Sequence, residues 1–192
     1  SVRDFREKGY LPEAIVSYLG LLGFTPPDNK ELLTLHELVS VFDITKVHRS
    51  GAVFDTKKLE WMNGEYIKRK SNDELAGLIT PFLEKVFGSV PKGEYLASIV
   101  PLMRERMIKL ADVSDYDYFF REPEIDPALL RWKERTLEEI KASLERVGEI
   151  ITKHGIDDSA ALRVELDSLG KELNDRGLVY WPFRVALTGK KA

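Results

Sequence analysis

The side chains in this sequence best equipped for chemistry are its cations. Arginines and lysines recur in short groups: Arg3/Arg6/Lys8, Lys46/His48/Arg49, Lys57/Lys58, Lys68/Arg69/Lys70, Arg104/Arg106/Lys109 and Arg131/Lys133/Arg135. A guanidinium presents a planar fork of donors to a phosphate or a base edge, and a lysine offers a compact point charge. Catalytic groupings are missing by comparison. The three histidines, His36, His48 and His154, are scattered and no nucleophile has an evident base. With no cysteine there is no thiolate nucleophile, disulfide or thiolate metal site. Glu138/Glu139 suits a solvated helix face, and Gly189-Lys190 lacks the upstream glycine and following hydroxyl of a phosphate-binding loop. Neither a catalytic residue nor a metal ligand is expected.

The formal net charge is −3, with a pI near 5.7, which argues against a nonspecific polyanion binder. Nucleic-acid contact, if it occurs, must use local basic patches. The strongest candidates sit near LMRERM, Leu102 to Met107. If the helix that starts after Pro91 continues through these residues, and Met103 marks the core direction, Arg104 points about 100° to one side and Arg106 about 60° to the other. Arg106 then lies on the shoulder of the apolar stripe, its stem packed and its head free. Composition alone allows an ordinary helix-surface ion pair equally well. The tyrosines and phenylalanines of Asp115 to Phe120 are expected to pack between helices, because the interleaved Asp115 and Asp117 would repel phosphates.

The elements that must carry these side chains read as helices. Pro12 opens one with Leu11, Ala14, Ile15, Tyr18, Leu19 and Leu22 at helical spacing. Thr34 and Glu37 form a capping box that opens a second, with Leu35, Leu38, Val39 and Phe42 inward. Asp55 caps a short helix over Thr56 to Asn63, ended by Gly64, with Leu59 and Met62 inward, Val53 and Phe54 as entry contacts, and Lys57, Lys58 and Glu60 left for solvent or a partner. One small extended piece is expected between Asp43 and Val53. Ser71 with Glu74 and Thr136 with Glu139 are further capping boxes, and Asp158 or Ser159 caps a helix bearing Leu162, Leu166, Leu169 and Leu173 that ends near Gly177. Asp126-Pro127 opens a new module, and Pro182 begins the last helix. The fold class expected is all-α.

FDTKKLEWMNGEYI, Phe54 to Ile67, resembles the stem-contact segment of bacterial-type glutamyl-tRNA synthetases. FREKGYLPEAIVSYLGLLGF, Phe5 to Phe24, resembles the stretch just downstream of that family's lysine-serine-lysine loop. WPFRVALTG, Trp181 to Gly189, resembles a late anticodon-domain element. The resemblance implies a stem-contact region at 1–67, a first helical anticodon-binding module at 68–124 and a second at 125–192, short of the helical segment with which the family completes it. It implies that Arg106 reads the third anticodon base, with Arg104 beside it, and that Arg184 contacts the anticodon. Lys46, Lys57 and Lys58 would meet stem phosphates, and Trp61 would either touch the stem or serve as half-buried packing. The implied partner is tRNA(Glu), and the implied parent enzyme attaches glutamate using ATP and Mg²⁺.

The catalytic signatures of class I synthetases are missing from the sequence, so ATP chemistry is not expected of these residues and no cofactor is assigned to them. The absent initiator Met suggests an excised or processed chain. No apolar run approaches membrane-spanning length and no signal-peptide core opens the chain, so a cytoplasmic monomer binding neither membrane nor DNA is expected. The other class of function that composition allows is a helical protein-interaction domain.

Overall fold

A computed structural model describes residues 1–47, 53–91, 93–155 and 158–191. All regular structure among the described residues is helical, as the capping boxes and helical periods predict. Two compact units divide the chain, Ser1–Phe120 and Arg121–Ala192.

The first unit holds α1 (Val2–Glu7), α2 (Pro12–Leu21), α3 (Leu35–Val41), α4 (Thr56–Lys68), α5 (Asn72–Phe87) and α6 (Glu94–Arg104), followed by a 3₁₀ segment over Leu110–Phe119. Side-chain caps start three of these helices: Thr34 Oγ1 accepts from Glu37 N, Asp55 from Lys57 N and Lys58 N, and Ser71 from Glu74 N. Helix α2 packs on α4, while α5 packs on α6 and on the 3₁₀ segment. A single apolar core joins them through Leu11, Leu59, Met62, Ile67, Leu75 and Met103, so residues on both sides of position 67 share one interior. Met103 lies in the core, the direction taken for it from the sequence, and Met107 is buried with it. The aromatic run packs on itself and its neighbours, with Phe120 stacked on Phe87 at 4.7 Å and Tyr118 against Phe119 at 4.6 Å.

The second unit contains a 3₁₀ turn at Pro127–Leu130 and three mutually packed helices, α7 (Leu137–His154), α8 (Ser159–Glu172) and α9 (Arg176–Thr188). Val147, Leu166, Leu169 and Val179 form its core. Asp175 ties the entrance together: its carboxylate caps α9 at Leu178 N and accepts from Trp132 Nε1 at 3.0 Å and Arg135 Nη2 at 3.2 Å. Burial pushes that carboxyl up, but the bonds from Trp132, Leu178 and Arg135 outweigh it and hold it below the usual range.

Several local expectations are corrected. Gly64 does not stop α4, which runs on to Lys68, because Tyr66 and Ile67 continue the buried stripe and outweigh the weak helix preference of one glycine. Leu35 and Val39 face outward and Phe42 is partly exposed with its ring 5.2 Å from that of Phe24; only Leu38 of the predicted inward set on α3 is buried. Val53 is also exposed, whereas Phe54 sits edge-on to Tyr18 at 5.0 Å. In place of an extended piece, the described part of 43–53 holds a 3₁₀ turn at Ile44–Lys46, its Thr45 N–H bonded to Asp43. His48 lies outside the described residues. The Asp126-Pro127 cap forms but opens only the 3₁₀ turn.

Helix α8 ends at Glu172, well before Gly177, which lies inside α9. Pro182 is likewise interior to α9 and buried. A proline there leaves the carbonyl four residues back without its helical donor. Ser143 on α7 supplies one: its hydroxyl donates to Leu178 O at 3.0 Å, and both groups are buried.

Candidate nucleic-acid interface

Asp55 sets the phase of α4. Its Oδ1 accepts from Lys57 N at 2.9 Å and Lys58 N at 3.1 Å, while its own N–H donates to Tyr18 OH at 2.6 Å. With Leu59 and Met62 fixed inward by this start, Lys57, Trp61, Gly64, Glu65 and Lys68 share the opposite side at helical spacing.

Asn63 is the residue that brings a second segment onto that side. It is fully buried on α4, accepts from Leu11 N at 2.7 Å and donates through Nδ2 to Ile108 O at 2.5 Å. Buried amides require such partners. One turn back along α4, Glu60 Oε1 accepts from Lys109 Nζ at 2.7 Å and from Tyr10 OH at 3.3 Å. The Lys109 bond holds the Glu60 carboxyl below its ordinary range and raises the lysine in turn. Asp112 completes the clamp by accepting from Ile108 N at 2.9 Å and Lys109 N at 2.8 Å. The segment Arg106 to Lys109 is therefore held at three consecutive points: Met107 in the core, Ile108 by its carbonyl and Lys109 by its ammonium.

Arg106 projects from this clamped segment. Helix α6 ends at Arg104 with Glu105 as its cap, so Arg106 lies in the following turn, its N–H bonded to Met103 O at 3.0 Å. The helical rotation argued from the sequence does not extend to it. Its side chain is exposed and forms no hydrogen bond or ion pair among the described residues. It lines a groove of about 360 Å³ together with Lys57, Trp61, Gly64, Lys68 and Met107.

The structure thus unites Lys57, Trp61 and Arg106 and separates the others. Lys58 pairs with Glu31 at 2.6 Å and borders a different hollow, beside Tyr18, Leu22 and Val53. Lys46 is exposed, 3.7 Å from Asp43. Arg104 is committed to the fold: its Nη1 donates to Lys70 O at 3.2 Å and Asn72 Oδ1 at 2.9 Å, lacing the end of α6 to the start of α5. Arg184 belongs to the second unit, exposed on α9 one residue from the buried Val185.

Sequence reasoning missed Asn63 as a pin because it ended the helix there. Had the Leu59–Met62 phase been carried past Gly64, Asn63 would have fallen on the buried side, and a buried asparagine implies a distant partner. Among the described residues no group of three His, Cys, Asp or Glu is arranged to hold a metal ion, and His154 instead meets Glu165 at 2.7 Å.

Residues 74–192 match the family described as the anticodon binding domain. The chain belongs to the anticodon binding domain family. Residues 1–61 match the catalytic domain of class I tRNA synthetases for E and Q, a short stretch of that domain's model by comparison. Curated relatives cover the chain from end to end. The glutamate–tRNA ligase of Alkaliphilus metalliredigens is 38% identical over 100% of this chain, which spans 40% of that protein. Glutamate–tRNA ligase 1 of Pseudothermotoga lettingae is 34% identical over 99% of the chain and 39% of its own length. The chain therefore corresponds to about two fifths of the relatives it matches. A crystal structure of a glutamate tRNA ligase from Elizabethkingia meningosepticum, in complex with its amino acid, superposes with a TM-score of 0.79 at 30% identity, covering 98% of this chain and 37% of that one. No described helix is long and apolar enough to cross a membrane.

Proposed function

We propose that this chain is the tRNA-holding part of a glutamate–tRNA ligase, which contacts the stem of tRNA(Glu) and reads its anticodon. The observation that carries the reading is the anticodon-binding match over 74–192 together with similarity along the whole of this chain to two fifths of a glutamate–tRNA ligase. On this reading residues 1–67 form the stem-contact region, 68–124 the first anticodon-binding module and 125–192 the second. Arg106 reads an anticodon base on its edge, and Arg184 adds a second anticodon contact. Arg104 supports Arg106 chiefly by fixing the end of α6, since its own guanidinium is engaged. Lys46, Lys57 and Lys58 face the stem phosphates, which position the RNA without specifying its sequence, and Trp61 stands beside Lys57 alone of the three. Unpaired bases of an RNA loop leave their Watson–Crick edges open to side chains, which is how single-stranded RNA is read by sequence.

The intact enzyme attaches glutamate to tRNA(Glu) using ATP and Mg²⁺, acts in the cytoplasm as a monomer, and binds neither membrane nor DNA. Gly189 does not form a phosphate cradle: it is a left-handed helix cap whose N–H bonds Val185 O.

Titration of the chain with tRNA(Glu) at two salt concentrations tests the proposal. The expected result is saturable binding that weakens steeply with salt, as counterion release requires. No binding at low salt would overturn it and leave a helical protein-interaction domain as the alternative.

A further inference from the structure

Among the described residues three helices contain an interior proline: Pro81 in α5, Pro101 in α6 and Pro182 in α9. Each proline leaves the carbonyl four residues back without its helical donor. For Pro81 and Pro101 that carbonyl belongs to Gly77 and Ala97, exposed residues that water can reach. For Pro182 it belongs to Leu178, which is 3% exposed and so needs a donor from the protein itself. Ser143 on α7 provides one from 35 residues away, and it is only 2% exposed. A buried hydroxyl is thus spent where water cannot serve.

Arg184 lies two residues beyond Pro182 on the same helix, and it is exposed. Its guanidinium makes no hydrogen bond, ion pair or ring contact among the described residues. An arginine without a partner is aimed by its backbone alone. The half of α9 before the proline is anchored by the Asp175 cap at Leu178 N and by Tyr180 OH, which donates to Asp167 Oδ1 at 2.8 Å. The half that carries Arg184 is joined to it through Pro182. Helices kink at prolines, and a kink of about 20° would carry a guanidinium roughly 8 Å from the hinge through roughly 3 Å, out of hydrogen-bond reach of its target.

We propose that Ser143 is a positioning residue for Arg184: its hydroxyl satisfies Leu178 O, keeps α9 continuous through Pro182, and so sets the direction in which Arg184 meets the anticodon. The inference rests on the reading of Arg184 as an anticodon contact given above. Without the hydroxyl the Leu178 carbonyl is left buried and unpaired, and it regains a partner by tilting out toward water, which bends the helix at the proline. Ser143 touches no RNA; α9 transmits its effect. A helix without the proline would not need it, because the backbone N–H at position 182 would then close the bond to Leu178 O.

The test measures the affinity of the intact chain for a tRNA(Glu) transcript, at a temperature where circular dichroism shows the variants folded. Arg184→Gln should weaken binding about 10-fold, the loss of one charged contact to a base. Ser143→Ala should reproduce most of that loss, and the Ser143→Ala/Arg184→Gln double variant should lose little more than either single one. Pro182→Ala should bind like the unchanged chain, and in that background Ser143→Ala should leave affinity unaltered. Should Ser143→Ala alone not fold, the Ser143→Ala/Pro182→Ala variant carries the test, since it should fold and bind normally. Val147→Ala, a core truncation one turn along α7, should lower the unfolding midpoint and leave affinity in place. If Arg184→Gln weakens binding and a folded Ser143→Ala does not, core packing of Val185 alone aims the helix, and the positioning proposal is overturned while the reading of Arg184 stands. A Ser143→Ala loss that persists with Pro182→Ala, adds to that of Arg184→Gln, or is matched by Val147→Ala overturns it as well. If Arg184→Gln binds as tightly as the unchanged chain, the reading of Arg184 falls and the proposal falls with it.

Discussion

Asn63 Nδ2 donates to the carbonyl of Ile108 at 2.5 Å, fastening the middle of α4 to the turn that follows α6. The same side chain accepts from Leu11 N at the mouth of α2. One buried amide thus sets the spacing of three segments. It has no contact with the groove, yet it determines where Arg106 stands.

Replacing Asn63 with alanine should strip partners from the buried Leu11 N–H and the partly buried Ile108 carbonyl at once. Each orphaned group costs about 1–3 kcal/mol, so the chain should lose on the order of 3 kcal/mol. A urea denaturation midpoint measures it. A midpoint within error of wild type would show that water replaces the amide without penalty.

Lys58→Ala should behave differently from a base-reading variant. Its pair with Glu31 is exposed, so stability should change by roughly 0–1 kcal/mol. If Lys58 meets a stem phosphate, affinity should fall alike for every tRNA sequence and the salt slope should shrink by about 1. Filter binding across a salt series reads both. An unchanged slope removes Lys58 from the interface.

Gly177→Ala should destabilise the second unit. A methyl there would lie 2.0 Å from Cζ2 of Trp132, whose indole is also bonded to Asp175. The ring cannot step aside without breaking that bond, and overpacking of this kind costs about 1–3 kcal/mol. Thermal unfolding followed by tryptophan fluorescence should show a lower midpoint.

Acid should weaken the helix starts in a defined direction. The Lys30 and Thr34 bonds hold Glu37 down to about 2 from its ordinary 4.5. Glu74, bonded by Ser71 N–H, and Glu139, bonded by Thr136 N–H and Arg135, are lowered as well. A carboxyl depressed on folding contributes fully above its unfolded value and loses that contribution as pH falls through its folded value. Stability should therefore decline from about pH 4.5 downward, and Glu37→Gln should flatten part of the decline. Denaturation curves at pH 6 and pH 3 make the comparison.

What the sequence determined by itself was local. Thr34, Asp55, Ser71, Thr136 and Asp158 each cap a helix through an N–H two or three residues away, so both donor and acceptor are visible in one short window. The helical class and the buried positions of Leu59, Met62, Leu166 and Leu169 follow from the same short-range periodicity. Tertiary structure decided what depends on partners far along the chain. Ser143 reaches Leu178 O across 35 residues and lets α9 run through Pro182. Asn63 reaches Ile108 across 45 and puts Arg106 beside Trp61 and Lys57. A glycine or proline signals a break only when nothing elsewhere repairs the helix, and an arginine's direction is set by whatever clamps its backbone. Both depend on packing that no local window contains.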